Sequence, residues 1–178
     1  MDDLYELLTA EKEKKELEIL DACNDTLGRR FGLALTEDET KALVKARNQS
    51  LEKYKRVEFG RGILDKLMYA FCDSMYICQD TYAEILMKLQ DIFYEFKNES
   101  QDRLTDDELI AFMKEQFETV CFGDTEYLES TCLPRFAAAV RAGYHGYERS
   151  GGKGEYDRFS EEERWDAELY MEALKTLF

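Results

Sequence analysis

Histidine is almost missing from this chain of 178 residues: His145 is the only one. One imidazole cannot supply the Glu-x-x-His pair that a ferritin-like di-iron site takes from each of two helices. It also leaves general acid–base chemistry without its commonest group. Proline occurs once and glycine ten times, too few for the many turns of an all-β fold. The five cysteines, Cys23, Cys72, Cys78, Cys121 and Cys132, are odd in number and form no CxxC pair. Nothing there announces a disulfide framework, and the common zinc and thioredoxin spacings are absent. Free, mostly buried thiols in a reducing cytoplasm are expected instead. No apolar run approaches the ~20 residues of a membrane span, and no Lys/Arg-flanked apolar leader opens the chain. A membrane partner is therefore not expected. Positive charge is scarce as well: 24 Lys and Arg against 39 Asp and Glu give a formal net charge of −15. Such a balance disfavours binding to nucleic acid or anionic lipid, both of which rely on Lys and Arg. It suits a solvated acidic surface or a partner for a basic one.

What the chain does have is apolar residues in helical register. Hydrophobic residues make up 44% and aromatics 13%, enough for a core without disulfides or metals. A chain of this length buries roughly 70% of the surface it exposes when unfolded. The stretch 81–97, TYAEILMKLQDIFYEFK, places Tyr82, Ile85, Leu86, Leu89, Ile92, Phe93 and Phe96 on one face, with Ala83, Met87 and Tyr94 beside them. The apolar arc covers roughly 200°, twice the stripe of a surface helix, so this segment is expected to be central, with neighbours on at least two sides. Helices at 63–72 and 105–117 are the nearest candidates.

Capping boxes mark the other helix starts. Thr36 with Glu39, Thr81 with Glu84, Thr105 with Glu108 and Ser160 with Glu163 each place a hydroxyl three residues before a carboxylate. Leu104 and Leu109 fit a hydrophobic staple on the third. Residues 3–30 read as helix, interrupted at EKEKKE (11–16) by a solvated turn or break, with Gly28 and Gly32 as plausible stops. The helix from Thr36 runs to about residue 57, with Leu43, Ala46, Leu51 and Tyr54 as its inner side. Asp124 caps a further helix, and Pro134 either kinks it or begins a new one. No alternating strand appears. The expected fold is all-α: a single-domain helical bundle, 1–178, of about six to seven helices around the helix at 81–97. Within it, 1–145 is the core and 146–178 a glycine-rich loop with a C-terminal helix.

Candidate chemistry is thin. Asp102, Asp106, Asp107 and Glu108 lack EF-hand spacing and sit where acids complement a helix start. GYERSGGKGE (146–155) lacks the GxxxxGK[ST] spacing and has no preceding strand. A Cys–His dyad through His145 has no local signature, and nothing asks for a cofactor or metal. The informative charge feature is a basic island, Lys41, Lys45, Arg47, Lys53, Lys55 and Arg56, with a net charge of +5 over 41–56, against −8 over 95–129. It reads either as a solvated helix face or as a contact surface.

LTEDETKALVKARN, EFGRGILDKLMYAFCDS, FYEFKNESQDRLTDDELIAFMK and the 121–128 region are similar to a family of Firmicutes proteins known only as a domain of unknown function. The similarity covers about 20–145. It implies a bacterial, intracellular origin and brings no catalytic residue, cofactor or ligand to any position. The function expected from all this is a non-catalytic cytoplasmic protein that binds another protein, through the basic island or through the last helix with Trp165 and Leu169. A homodimer is compatible with it. The alternatives are an enzyme built from carboxylates, tyrosines and Cys72 or Cys78, and a regulator touching nucleic acid through the basic island.

Overall fold

A computed structural model describes residues 2–58 and 62–143. The fold is all-α, with no strand among these residues. The chain divides into two compact units, 1–91 and 92–178, and the boundary falls inside one continuous helix.

In the first unit, α1 (Asp2–Phe31) runs unbroken for 30 residues. The expected break at 11–16 does not occur. Glu and Lys are good helix formers, Glu11 precedes Lys15 by four residues in the favourable order, and no Gly or Pro interrupts the ladder. Gly32 supplies the stop: its φ of 71° is left-handed, and its N–H returns to the Gly28 carbonyl at 3.2 Å. The connection that follows has no ladder of its own, so side-chain amides satisfy it. Asn24 accepts from the Leu35 N–H at 2.5 Å and donates to the Leu35 carbonyl at 2.7 Å. Gln79 does the same for Ala34, at 2.8 and 2.6 Å.

α2 (Glu37–Lys53) begins with the expected capping box, Thr36 with Glu39. Its inner stripe is Thr40, Leu43, Val44, Arg47 and Ser50, one register round from the expected set. α3 (Leu64–Phe71) buries Leu64, Leu67, Met68 and Phe71 and packs, like α2, on α1.

α4 (Tyr82–Glu99) is the predicted central helix. Tyr82, Leu86, Leu89, Gln90, Phe96 and Lys97 are buried, and so are three consecutive residues, Ile92, Phe93 and Tyr94. A helix with one covered face cannot bury three in a row, so the broad arc is real. Thr81 turns its hydroxyl back on Cys78, donating to the Cys78 carbonyl at 3.3 Å. Within the first unit α4 is tied to α2: Gln90 donates to the Leu43 carbonyl at 3.1 Å, and Asp91 accepts from Ser50 at 2.8 Å and from Tyr54 at 3.1 Å.

In the second unit α5 (Asp106–Thr119) carries the expected box of Thr105 with Glu108, and both staple leucines, Leu104 and Leu109, are buried. The Lys97 ammonium donates to the Leu104 carbonyl and pairs with Asp106 at 2.9 Å, fixing the entry to α5. Asp124 caps α6 (Thr125–Tyr127), which continues through a π-helical turn (Leu128–Cys132) into α7 (Leu133–Arg141). Pro134 explains the π turn. It has no N–H for the Ser130 carbonyl and would crowd it; the wider turn, closed by the Leu133 N–H on the Leu128 carbonyl, makes room. Phe112 of α5 stacks on Phe136 of α7 with centroids 3.5 Å apart. Arg141 reaches the last turn of α4, donating to the Glu99 carbonyl at 2.6 Å.

Candidate functional site

The basic island is broken up by its own surroundings. Lys41 pairs with Glu37 at 2.7 Å, and Lys53 lies 3.4 Å from Asp91 and over the Tyr54 ring. Lys55 follows the end of α2 in a left-handed conformation, φ 53°. Lys45 is exposed and Arg56 half-buried. Arg47 is no surface cation: it points inward from the α2 stripe and is buried. Its guanidinium holds both oxygens of Glu16 on α1, with Nη2 at 2.6 Å from Oε2, and also bonds the Asn48 side chain at 3.1 and 3.2 Å. A fork-to-fork pair of this kind is the strong form of ion pair. The six residues thus form no continuous positive face. Trp165, Leu169 and His145, with the Ser160–Glu163 box, lie outside the described residues.

Gly62 passes directly over the Arg47–Glu16 pair. A Cβ there would fall 2.7 Å from the Glu58 carboxylate and 2.8 Å from Arg47 Nη1, so any other residue would have to displace the ends of these side chains. Beside it opens a cleft of about 290 Å³ lined by Lys12, Lys15, Glu16, Ile19, Gly62 and Asp65. That is near the lower limit of ligand pockets, ~300 Å³. Because Glu16 is already engaged by Arg47, the other charged groups facing this space are Lys12, Lys15 and Asp65.

Other reactive groups have local explanations. Among the acids at 102–108, Glu108 closes the α5 capping box and Asp106 pairs with Lys97. Among the described residues no three of His, Cys, Asp and Glu converge as a metal site would need. Cys72 donates to the Tyr69 carbonyl at 3.1 Å. Cys78 is exposed, and its hydrogen bond with Thr81 holds its thiol below the usual range.

The most prominent feature that sequence reading passed over is the first half of α1. Residues 3–15 are all exposed, and the first buried residue of the helix is Leu20. Leu4, Tyr5, Leu7 and Leu8 sit on this arm between 62 and 75% exposed. Leu4, Leu7 and Leu8 follow i, i+3, i+4 spacing and so share one face. The available signal was that the stripe stops at Glu11 instead of continuing into the core.

A family model covers residues 18–146, well over half the chain, and its description is a family of unknown function, DUF6323. The chain belongs to that family. No curated protein and no solved structure matches it. The DUF6323 match takes in α2–α7 with Arg47, Gly62 and the five cysteines, but starts two residues after Glu16. The exposed arm of α1 lies wholly outside it. No helix among the described residues is long and apolar enough to cross a membrane.

Proposed function

We propose that this DUF6323 protein is a non-catalytic cytoplasmic binding protein, and that the N-terminal arm of α1 docks into an apolar groove with a basic rim on a partner protein. The observation that carries the reading is the exposure of Leu4, Tyr5, Leu7 and Leu8 on a regular helix whose residues 3–15 are all exposed. Single exposed apolar residues are ordinary, whereas four within five positions on one helical arm are not. Spacing of i, i+3, i+4 is the anchor pattern of helix-in-groove recognition. The partner's rim follows from charge: Asp3 and Glu6 are interspersed with the anchors in sequence, with no base before Lys12. The five free cysteines support a reducing compartment.

The test is site-specific photo-crosslinking from Leu7 of the full chain in its native cells, with Glu18 as control position. A crosslinked protein whose binding weakens with salt, and weakens at least tenfold in Leu4→Glu/Leu7→Glu/Leu8→Glu, is expected. Each lost apolar anchor is worth roughly 1.5–3 kcal/mol. A crosslink to a second copy, with a dimer in light scattering, would replace the groove by self-association. Unchanged binding in the triple variant would remove the arm from the site.

A further inference from the structure

We propose that Cys121 and Cys132 are a redox couple: a hydroperoxide closes them into a reversible disulfide at the turn between α5 and α7. Their sulfurs are 3.6 Å apart, in contact, and both side chains are buried, 6 and 4% exposed. A disulfide bond is about 2.05 Å long, so closure needs about 1.5 Å of approach.

The fold creates this contact between residues eleven apart in sequence. α5 ends at Thr119 with Val120 as its cap, and the Cys121 N–H returns to the Gln116 carbonyl at 2.8 Å. Phe122 and Gly123 then take left-handed φ values of 48° and 85°, reversing the chain, and the Gly123 N–H closes on the Phe117 carbonyl at 2.9 Å. Asp124 starts α6, and the π-helical turn forced by Pro134 ends on Cys132. A π turn changes the direction in which its last side chain projects, relative to an unbroken α-helix. The local irregularities on both sides therefore converge on one pair of sulfurs.

The two thiols are unequal. The contact with Cys121 favours the Cys132 thiolate, burial opposes it and Arg135 adds to it; the same contact, with burial and Asp124 nearby, holds the Cys121 thiol protonated. Cys132 is accordingly the attacking sulfur and Cys121 the resolving one. The Cys132 thiolate attacks one peroxide oxygen and the O–O bond breaks. Cys132 becomes a sulfenic acid, and the other oxygen leaves as an alkoxide or hydroxide that takes up a proton. The Cys121 sulfur then attacks the sulfenic sulfur. The S–O bond breaks, and the departing hydroxide takes the Cys121 proton as water. Two thiols have lost two electrons and two protons, and one O–O bond has been reduced to water and an alcohol, or to two waters with hydrogen peroxide. A dithiol reverses the change by thiol–disulfide exchange.

The experiment uses the full chain, reduced, desalted and exposed to stoichiometric hydrogen peroxide under native conditions, then quenched with an alkylating reagent. The expected result is the mass of two hydrogens lost, two fewer alkylated thiols, a peptide linking Cys121 to Cys132, and full recovery with dithiothreitol. Cys78→Ser should leave the linked peptide unchanged. Cys121→Ser should stop at a Cys132 sulfenic acid that a dimedone probe traps. The proposal is overturned if Cys121 and Cys132 stay fully alkylated while exposed Cys78 is oxidised, if either pairs with a third cysteine, or if the link forms only in denaturant. Because mapping the native chain decides each of these, the result does not depend on the variants folding.

Discussion

Replacing Glu16 by alanine should damage this protein far more than a charged residue on an outer helix normally would. The reason is Arg47. Its side chain is 5% exposed and that of Glu16 12%, so the pair belongs to the buried class. An exposed pair contributes about 0–1 kcal/mol, but removing one partner of a buried pair leaves an uncompensated charge and costs about 3–5 kcal/mol. After Glu16→Ala the guanidinium keeps the Asn48 side chain, through contacts at 3.1 and 3.2 Å, but loses its paired carboxylate. About 3–5 kcal/mol is a large part of the 5–15 kcal/mol that holds a typical domain. Removing both charges is a different perturbation, because desolvation and attraction disappear together. Glu16→Ala/Arg47→Met should recover at least ~2 kcal/mol relative to the sum of the singles. Urea denaturation of the wild type, both singles and the double gives all four corners of the cycle. A loss below ~1 kcal/mol for Glu16→Ala, with additive behaviour in the double, would place the pair in the solvated class and refute the reasoning.

Leu89 has no exposed surface, and Leu89→Ala should cost ~2–5 kcal/mol in chemical denaturation; under ~0.5 kcal/mol would mean α4 is not central. Thr105→Ala removes the hydroxyl that accepts the Glu108 N–H at 3.2 Å and should cost ~1 kcal/mol, while the same change at exposed Thr119 costs a few tenths at most. The Tyr82 hydroxyl is buried and has no hydrogen-bond partner among the described residues. Tyr82→Phe should therefore be neutral or stabilising, and a loss above ~1 kcal/mol would reveal a partner. Burial raises the Tyr82 pKa above its ordinary 10.0. Above pH 10 the unfolded chain thus releases a proton that the folded chain keeps, and stability falls as pH rises. Tyr82→Phe should flatten that alkaline decline, as read from thermal melts on both sides of pH 10.

The local grammar of the helices could be read directly. Thr36 and Thr105 close the boxes that their spacing predicts, Leu104 and Leu109 form the staple, Asp124 caps, and the arc of 81–97 is as broad as its pattern demands. Each is a contact between residues three or four apart, which helical geometry fixes before any packing occurs. Reading failed where the deciding partner lies far along the chain. Arg47 resembles its neighbours Lys41, Lys45 and Lys53 on paper, yet it is buried because Glu16, 31 residues earlier, meets it across α1 and α2. The run at 11–16 reads as a turn or break because it is polar throughout, but polarity only says which residues face water, and propensity carries the helix through it. Leu4, Leu7 and Leu8 show apolar character in the sequence, and only the packing leaves them uncovered. The same holds for Cys121 and Cys132, which no CxxC spacing announces. Sequence alone therefore determined the all-α class, the starts of α2 and α5 and the breadth of the central helix, because these depend on short-range periodicity. Tertiary structure alone decided which charge is buried, which apolar face stays bare and which two thiols touch, because those depend on how separate helices meet.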